Sequence, residues 1–158
     1  MLRCQIISHL SNPHGPNPNE PLGRHLVFTA KAVREAFEQA LTAAGGSLGT
    51  WIVLSAVSHE GIVSQTMLAG RMHVEGATIT HHVDRLEKVG LVRREIDAND
   101  RRVRKIELTP EGVRLHKALL AAAKEFEGVL LAGISERQQV ELRRTLDRIQ
   151  TNLGASWS

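Results

Sequence analysis

Glu75-Gly76-Ala77-Thr78-Ile79-Thr80-His81-His82-Val83-Asp84-Arg85-Leu86-Glu87-Lys88-Val89-Gly90-Leu91-Val92 is the stretch around which the rest of the chain can be read. Wound as a helix at ~100° per residue, it places Ile79, Val83 and Leu86 on one narrow arc, spaced i, i+4, i+7. The opposite side carries Ala77, His81, Asp84, Arg85 and Lys88, with Thr78 and Thr80 on the flanks. One face is an anchor; the other is small, polar and able to hydrogen-bond. Gly90 is a left-handed C-terminal stop, and His82, at the edge of the apolar arc, is expected to pack rather than read. Glu75 is a poor N-cap compared with Ser, Thr or Asp, although a carboxylate is favoured at that end of a helix.

The next segment of the chain is basic. Between Arg93 and Lys105 lie six basic residues against three acidic ones. The turn cluster Asp97-Ala98-Asn99-Asp100 separates Arg93-Arg94 from Arg101-Arg102 and Arg104-Lys105, and Ile106 and Leu108 close the run with strand alternation. Upstream, Ser64 caps a short helix, Gln65 to Met72, joined to the first by His73-Val74-Glu75-Gly76. The stretch Ser64–Glu111 therefore reads helix, turn, helix, basic hairpin. A helix able to enter a major groove, followed by a cationic β-ribbon, is a pattern suited to reading DNA.

The flanks are helical. Residues 11–21 contain four prolines and a glycine, a density that no regular element survives, so residues 1–20 are expected to form a flexible arm. From Pro21, Leu22, Leu26, Ala30, Val33, Phe37, Ala40 and Leu41 keep a helical stripe until Gly45-Gly46. Ser47 then caps a second helix, Leu48 to about His59, that is apolar on most sides and so expected to be buried. Thr109-Pro110-Glu111 starts a long helix through Val113, Leu119, Leu120, Ala123, Phe126 and Leu130. Ser135-Glu136-Arg137-Gln138 is a capping-box start for the last, with the stripe Val140, Leu142, Leu146, Ile149 and Leu153.

Composition bounds the answer. The 158 residues suit one domain, and 42% hydrophobic with 23% charged residues is a globular balance. Aromatics are 3% with no tyrosine, so the core must be aliphatic. The formal charge of +3 says little; its concentration in the hairpin says more. A single cysteine, Cys4, excludes an intrachain disulfide and any cysteine-rich zinc motif. No stretch approaches the ~18 consecutive apolar residues of a membrane span, and Met1–Leu10 is too polar for a secretory signal. A cytoplasmic protein is expected. His81 and His82 diverge by ~100° on a helix and cannot easily chelate one ion, so no metal or other cofactor is expected. There is no Gly-rich phosphate loop, recognisable nucleophile or paired carboxylate cleft, hence no enzyme and no catalytic residue.

The series Val83-Asp84-Arg85-Leu86-Glu87-Lys88-Val89-Gly90-Leu91-Val92-Arg93-Arg94, then Asp97-Ala98-Asn99-Asp100-Arg101-Arg102, then Leu108-Thr109-Pro110-Glu111-Gly112 resembles the MarR family of winged helix-turn-helix regulators. The resemblance runs from about Pro21 to the C-terminus. It implies a mainly α fold with a small β-ribbon wing: residues 48–108 form the winged helix-turn-helix DNA-binding lobe, and 21–46 and 109–158 the dimerisation helices of a single domain spanning 21–158. It implies a homodimer that reads a pseudo-palindromic operator in double-stranded DNA, a repressor released by a small aromatic or phenolic effector. The family's Asp-x-Arg pair maps onto Asp100 and Arg102, the arginine entering the minor groove and the aspartate holding its rotamer. Glu75-Gly76-Ala77 and His81-His82 depart from commoner family choices.

The DNA-binding candidates are Thr78, Thr80, His81, Arg85, Lys88, Asp100, Arg101, Arg102 and Arg104, from the helix and the hairpin. For Arg85, a salt bridge to the neighbouring Asp84 is the structural alternative. The effector candidates are Arg24, His25 and Phe28, about one turn apart, with Trp51 and Ser55 on one face of the second helix. Together they could offer an aromatic wall and cations for a carboxylate; the alternative is that Phe28 and Trp51 are core. A zinc- or redox-responsive regulator of the same fold, and a non-specific architectural DNA-binding protein, are the competing functions.

Overall fold

A computed structural model describes residues 21–60, 63–64, 76–96 and 104–154. In order these form helix α1 (Leu22–Ala43), helix α2 (Leu48–Glu60), strand β1 (Val63–Ser64), helix α3 (Gly76–Lys88), strands β2 (Val92–Ile96) and β3 (Arg104–Leu108), and helices α4 (Pro110–Leu130) and α5 (Glu136–Asn152). The expected arm over 1–20, the helix Gln65–Met72 and the turn Asp97–Asp100 lie outside the described residues. The chain divides into two compact units, Met1–Lys124 and Glu125–Ser158.

In the first unit α2 is the hub. Val53, Leu54, Ala56 and Val57 are all buried, as a helix apolar nearly all round should be. It packs against α1, α3, β1 and β3. The core it organises contains Leu41, Val83, Leu86, Val92, Ile106 and Leu119. Each of the larger side chains stabilises the fold by about 1.5–3 kcal/mol relative to exposure. The segment between α1 and α2 turns at Gly45, whose φ of +89° only glycine adopts without strain. Ser47 then starts α2 as its sequence suggests: its Oγ accepts from the Thr50 N–H at 3.2 Å.

The sheet has the order β1-β3-β2, antiparallel throughout. β2 and β3 pair Val92 with Leu108, Arg93 with Glu107, Arg94 with Ile106 and Glu95 with Lys105. Because side chains alternate across a strand, Val92, Arg94, Ile106 and Leu108 share one face, and Arg93, Glu95, Lys105 and Glu107 the other. Val92 and Ile106 are buried on the first.

The junction between sheet and α4 explains the run Thr109-Pro110-Glu111-Gly112. The Thr109 hydroxyl donates to the Gly90 carbonyl at 2.6 Å and accepts from the Gly112 N–H at 3.0 Å. The Thr109 N–H donates to the Leu91 carbonyl at 3.1 Å. One side chain thus caps α4 and ties it to the segment leaving α3. Gly112 lies so close to Leu91 that a β-carbon there would overlap its carbonyl oxygen.

The second unit holds the end of α4, a turn at Gly133 (φ +79°) and α5. The capping box is present: Ser135 Oγ accepts from the Gln138 N–H, and the Gln138 side chain accepts from the Ser135 N–H at 2.9 Å. No residue of α5 is buried, and Val140, Leu142, Leu146 and Leu153 are exposed.

Candidate nucleic-acid interface

Helix α3 divides as its sequence suggests. Val83 and Leu86 are buried, while Thr80, His81, Asp84, Arg85 and Lys88 are exposed. His82 packs: its ring lies over Gly49 of α2, where an added β-carbon would stand 3.1 Å from His82 Cε1. Gly90, with φ +74°, ends the helix segment and turns the chain into β2. The backbone of Gly76–Ile79 is helical and that of Arg104 is in β3. The side chains of Thr78, Ile79 and Arg104, and the whole of Asp100, Arg101 and Arg102, lie outside what is described.

Charge on this surface is more structured than a count of basic residues suggests. Arg93 is taken up on the outer face of the hairpin by Glu107 (Nη2–Oε2 2.6 Å) and Glu95 (3.2 Å). Glu107 stands across the strand pair from Arg93 and Glu95 two residues along the same strand, and the exposed guanidinium leaves both contacts screened by solvent. Arg94 goes the other way. Sharing the inner face with Val92, it reaches back to α3, where it meets Asp84 at 2.5 Å and Glu87 at 2.6 Å. Its backbone N–H also donates to Glu87 Oε1, at 3.0 Å. The aspartate beside Arg85 is therefore engaged by Arg94. Arg85, His81 and Lys88 make no hydrogen bond or ion pair among the described residues, which leaves them presented to solvent on one face.

The effector candidates separate. Trp51 and Ser55 line a cavity of about 670 Å³ with Ile52, His59, His116 and Leu120. Trp51 stacks on His116 (centroids 5.8 Å, 21° between planes) and meets Phe37 edge-on. Ser55 Oγ is 3.4 Å from His116 Nε2. Burial holds the His116 imidazolium below its usual range, favouring the neutral ring. Arg24, His25 and Phe28 do not line this cavity. Phe28 is 55% exposed on α1, with the Arg24 guanidinium 5.5 Å from its ring centroid. Sequence reasoning misses His116, because it belongs to α4 and only the fold brings it to Ser55.

A helix with an apolar anchor and an exposed polar face, followed by an antiparallel hairpin and a capped return helix, defines a winged-helix protein. Comparison with known proteins narrows the class. The family model described as "MarR family" matches residues 47–103. The HTH-type transcriptional regulator PecS of Dickeya dadantii (strain 3937) is 32% identical over 91 residues, 58% of this chain. The chain spans 55% of that relative's length. A crystal structure of a MarR-family transcriptional regulator from Rhodococcus sp. RHA1 superposes with a TM-score of 0.70 at 29% identity, over 81% of this chain and 92% of that one. CouR from Rhodococcus jostii RHA1, bound to p-coumaroyl-CoA, gives 0.71 at 30% identity, over 82% and 92%. The chain belongs to the MarR family of transcriptional regulators.

Among the described residues, no single helix is long and apolar enough to cross a membrane.

Proposed function

We propose that this chain is a sequence-specific DNA-binding repressor that acts in the cytoplasm as a homodimer on a pseudo-palindromic operator and performs no catalysis. The observation that carries the reading is a set of three exposed side chains on α3. His81, Arg85 and Lys88 stand exposed with no partner among the described residues, on a helix whose other side is sunk in the core. Thr78 and Thr80 extend that face in sequence, and Asp100, Arg101, Arg102 and Arg104 belong to the adjoining hairpin. Cations that a fold leaves uncommitted next to a groove-sized helix are suited to phosphates and base edges. Two-fold pairing is supported by the apolar residues left exposed at Leu22, Val27 and Phe28 of α1 and at Val140, Leu142 and Leu146 of α5.

The effector is a small aromatic or phenolic molecule seated against Trp51, Ser55 and His116. An apolar wall with a few convergent polar groups is the usual make-up of a ligand pocket, and CouR is a relative crystallised with an aromatic thioester. The decisive experiment is selection of duplexes from a random-sequence pool by the purified protein, followed by footprinting. Enrichment of a two-fold sequence that releases protein on addition of p-coumaroyl-CoA or a simple phenol supports the whole reading. Failure to enrich any sequence, with equal binding to all duplexes, would favour an architectural DNA-binding protein.

A further inference from the structure

Resting on the DNA-reading assignment above, we infer that Arg94 is the positioning residue that fixes the reading helix against the hairpin and masks two carboxylates that would otherwise face DNA. Asp84 sits in the middle of the exposed face of α3, between His81 and Arg85 in sequence and one turn before Lys88. It is 55% exposed, whereas the Arg94 side chain is only 13% exposed. A bare carboxylate there would meet phosphates and repel them. Arg94 crosses from β2 beneath that face and bonds to it at 2.5 Å, turning the aspartate's charge inward.

The second half of the contact is geometric. Glu87, in the last turn of α3, holds the Arg94 guanidinium at 2.6 Å with one oxygen and the Arg94 N–H at 3.0 Å with the other. One carboxylate therefore grips both the backbone and the side chain of the first hairpin strand. With Asp84 added, a single planar fork ties two turns of the helix to the strand that leads into Arg101 and Arg102. Lysine could supply the charge but not the fork. Stability alone is a poor account of this arrangement. The buried Arg94 Nε has no hydrogen-bond partner among the described residues, and a partly buried guanidinium with an unmet donor, paired to carboxylates that remain partly exposed, is weak support for a fold.

The test compares Arg94→Gln, Arg94→Lys and the triple variant Asp84→Asn/Glu87→Gln/Arg94→Gln, in which the cluster carries no charge, with the wild-type protein. The probes are the duplex selected from the random pool and a random-sequence duplex of equal length, titrated over a range of salt. Arg94→Gln should bind the selected duplex about 10- to 100-fold more weakly and with a shallower salt slope, since unmasked carboxylates reduce effective phosphate neutralisation. Removing the charges as well should restore the salt slope and random-duplex affinity but leave the selected-to-random ratio low, because the fork is still missing. Arg94→Lys should recover part of the affinity and little of the ratio. Asp84→Asn alone changes only an exposed side chain and guards against a misfolded arginine variant; it should raise random-duplex affinity and lower the ratio. If Asp84→Asn and a folded Arg94→Gln both keep the wild-type ratio and salt slope, the inference is overturned while the DNA-reading assignment stands. A wild-type protein that selects no sequence overturns both.

Discussion

Replacing Gly112 by alanine tests the junction on which hairpin and helix are aligned. The added β-carbon would overlap the Leu91 carbonyl oxygen and stand 3.0 Å from its carbonyl carbon and 3.5 Å from Leu108 Cδ2. The first two are backbone atoms, so the overlap cannot be relieved by turning a side chain. Overpacking of this kind costs about 1–3 kcal/mol. Moving the start of α4 away would also loosen the Thr109 cap, worth about 1 kcal/mol. Against this, alanine is favoured over glycine in a helix by up to about 1 kcal/mol. The net destabilisation is then about 1–3 kcal/mol. At about 2–4 °C per kcal/mol for a chain of this size, the melting temperature should fall by about 2–12 °C. Gly128→Ala is the internal control, because its β-carbon would meet nothing within 4 Å. It should stabilise by about 0.5–1 kcal/mol. Thermal unfolding of both variants at one protein concentration, since association shifts the midpoint, reads the two signs together. If Gly112→Ala melts with or above the wild type, the close approach to Leu91 is not what glycine serves there.

Other expectations concern the hairpin, the cavity and the assembly. Arg102→Ala should remove one minor-groove contact per half-site; at roughly 1–3 kcal/mol each, affinity for the selected duplex drops by about one to four orders of magnitude with an unchanged melting temperature. Asp100→Ala should give a weaker form of the same defect in a gel-shift titration. For His116, burial lowers the folded-state pKa below the 6.5 of an unperturbed imidazole, so the unfolded chain binds the extra proton first. Its contribution to stability is therefore complete above about pH 6.5 and lost as pH falls through the folded value; a pH series of melting temperatures should show this fall, and His116→Gln should flatten it. Sedimentation at micromolar concentration should give a species near twice 17.4 kDa; a well-folded monomer would count against the exposed stripes of α1 and α5 as a shared interface.

The helices are legible wherever periodicity and punctuation agree. Ile79, Val83 and Leu86 mark an arc, Gly90 stops it, and α3 runs from Gly76 to Lys88. Thr109-Pro110 and Ser135-Glu136-Arg137-Gln138 carry their own starts, because capping chemistry is local and needs only neighbours in sequence. The cavity proposed for the effector is half legible. Trp51 and Ser55 share a helical face whatever surrounds them, but His116 reaches Ser55 only through the packing of α4 on α2, and no local rule brings residues 61 apart together. Aromatic and cationic character groups Arg24 and Phe28 with Trp51, yet it does not say which turn of α1 faces α2.

Arg94 is the more instructive case. Counted as one of six basic residues, it belongs to a cationic ribbon; placed by strand alternation, it shares a face with Val92 and Ile106 and must point inward. Strand alternation over residues 92 to 96 is enough for that second reading, and it raises the question of what a buried guanidinium would find. The preceding helix holds two carboxylates three residues apart, Asp84 and Glu87, a spacing that puts both within reach of one planar group. Charge on a nucleic-acid-binding surface is therefore poorly judged by summing Lys and Arg. What matters is which cations the strand period and the helix period leave uncommitted, and on α3 those are Arg85 and Lys88 because Arg94 has already engaged the acids beside them.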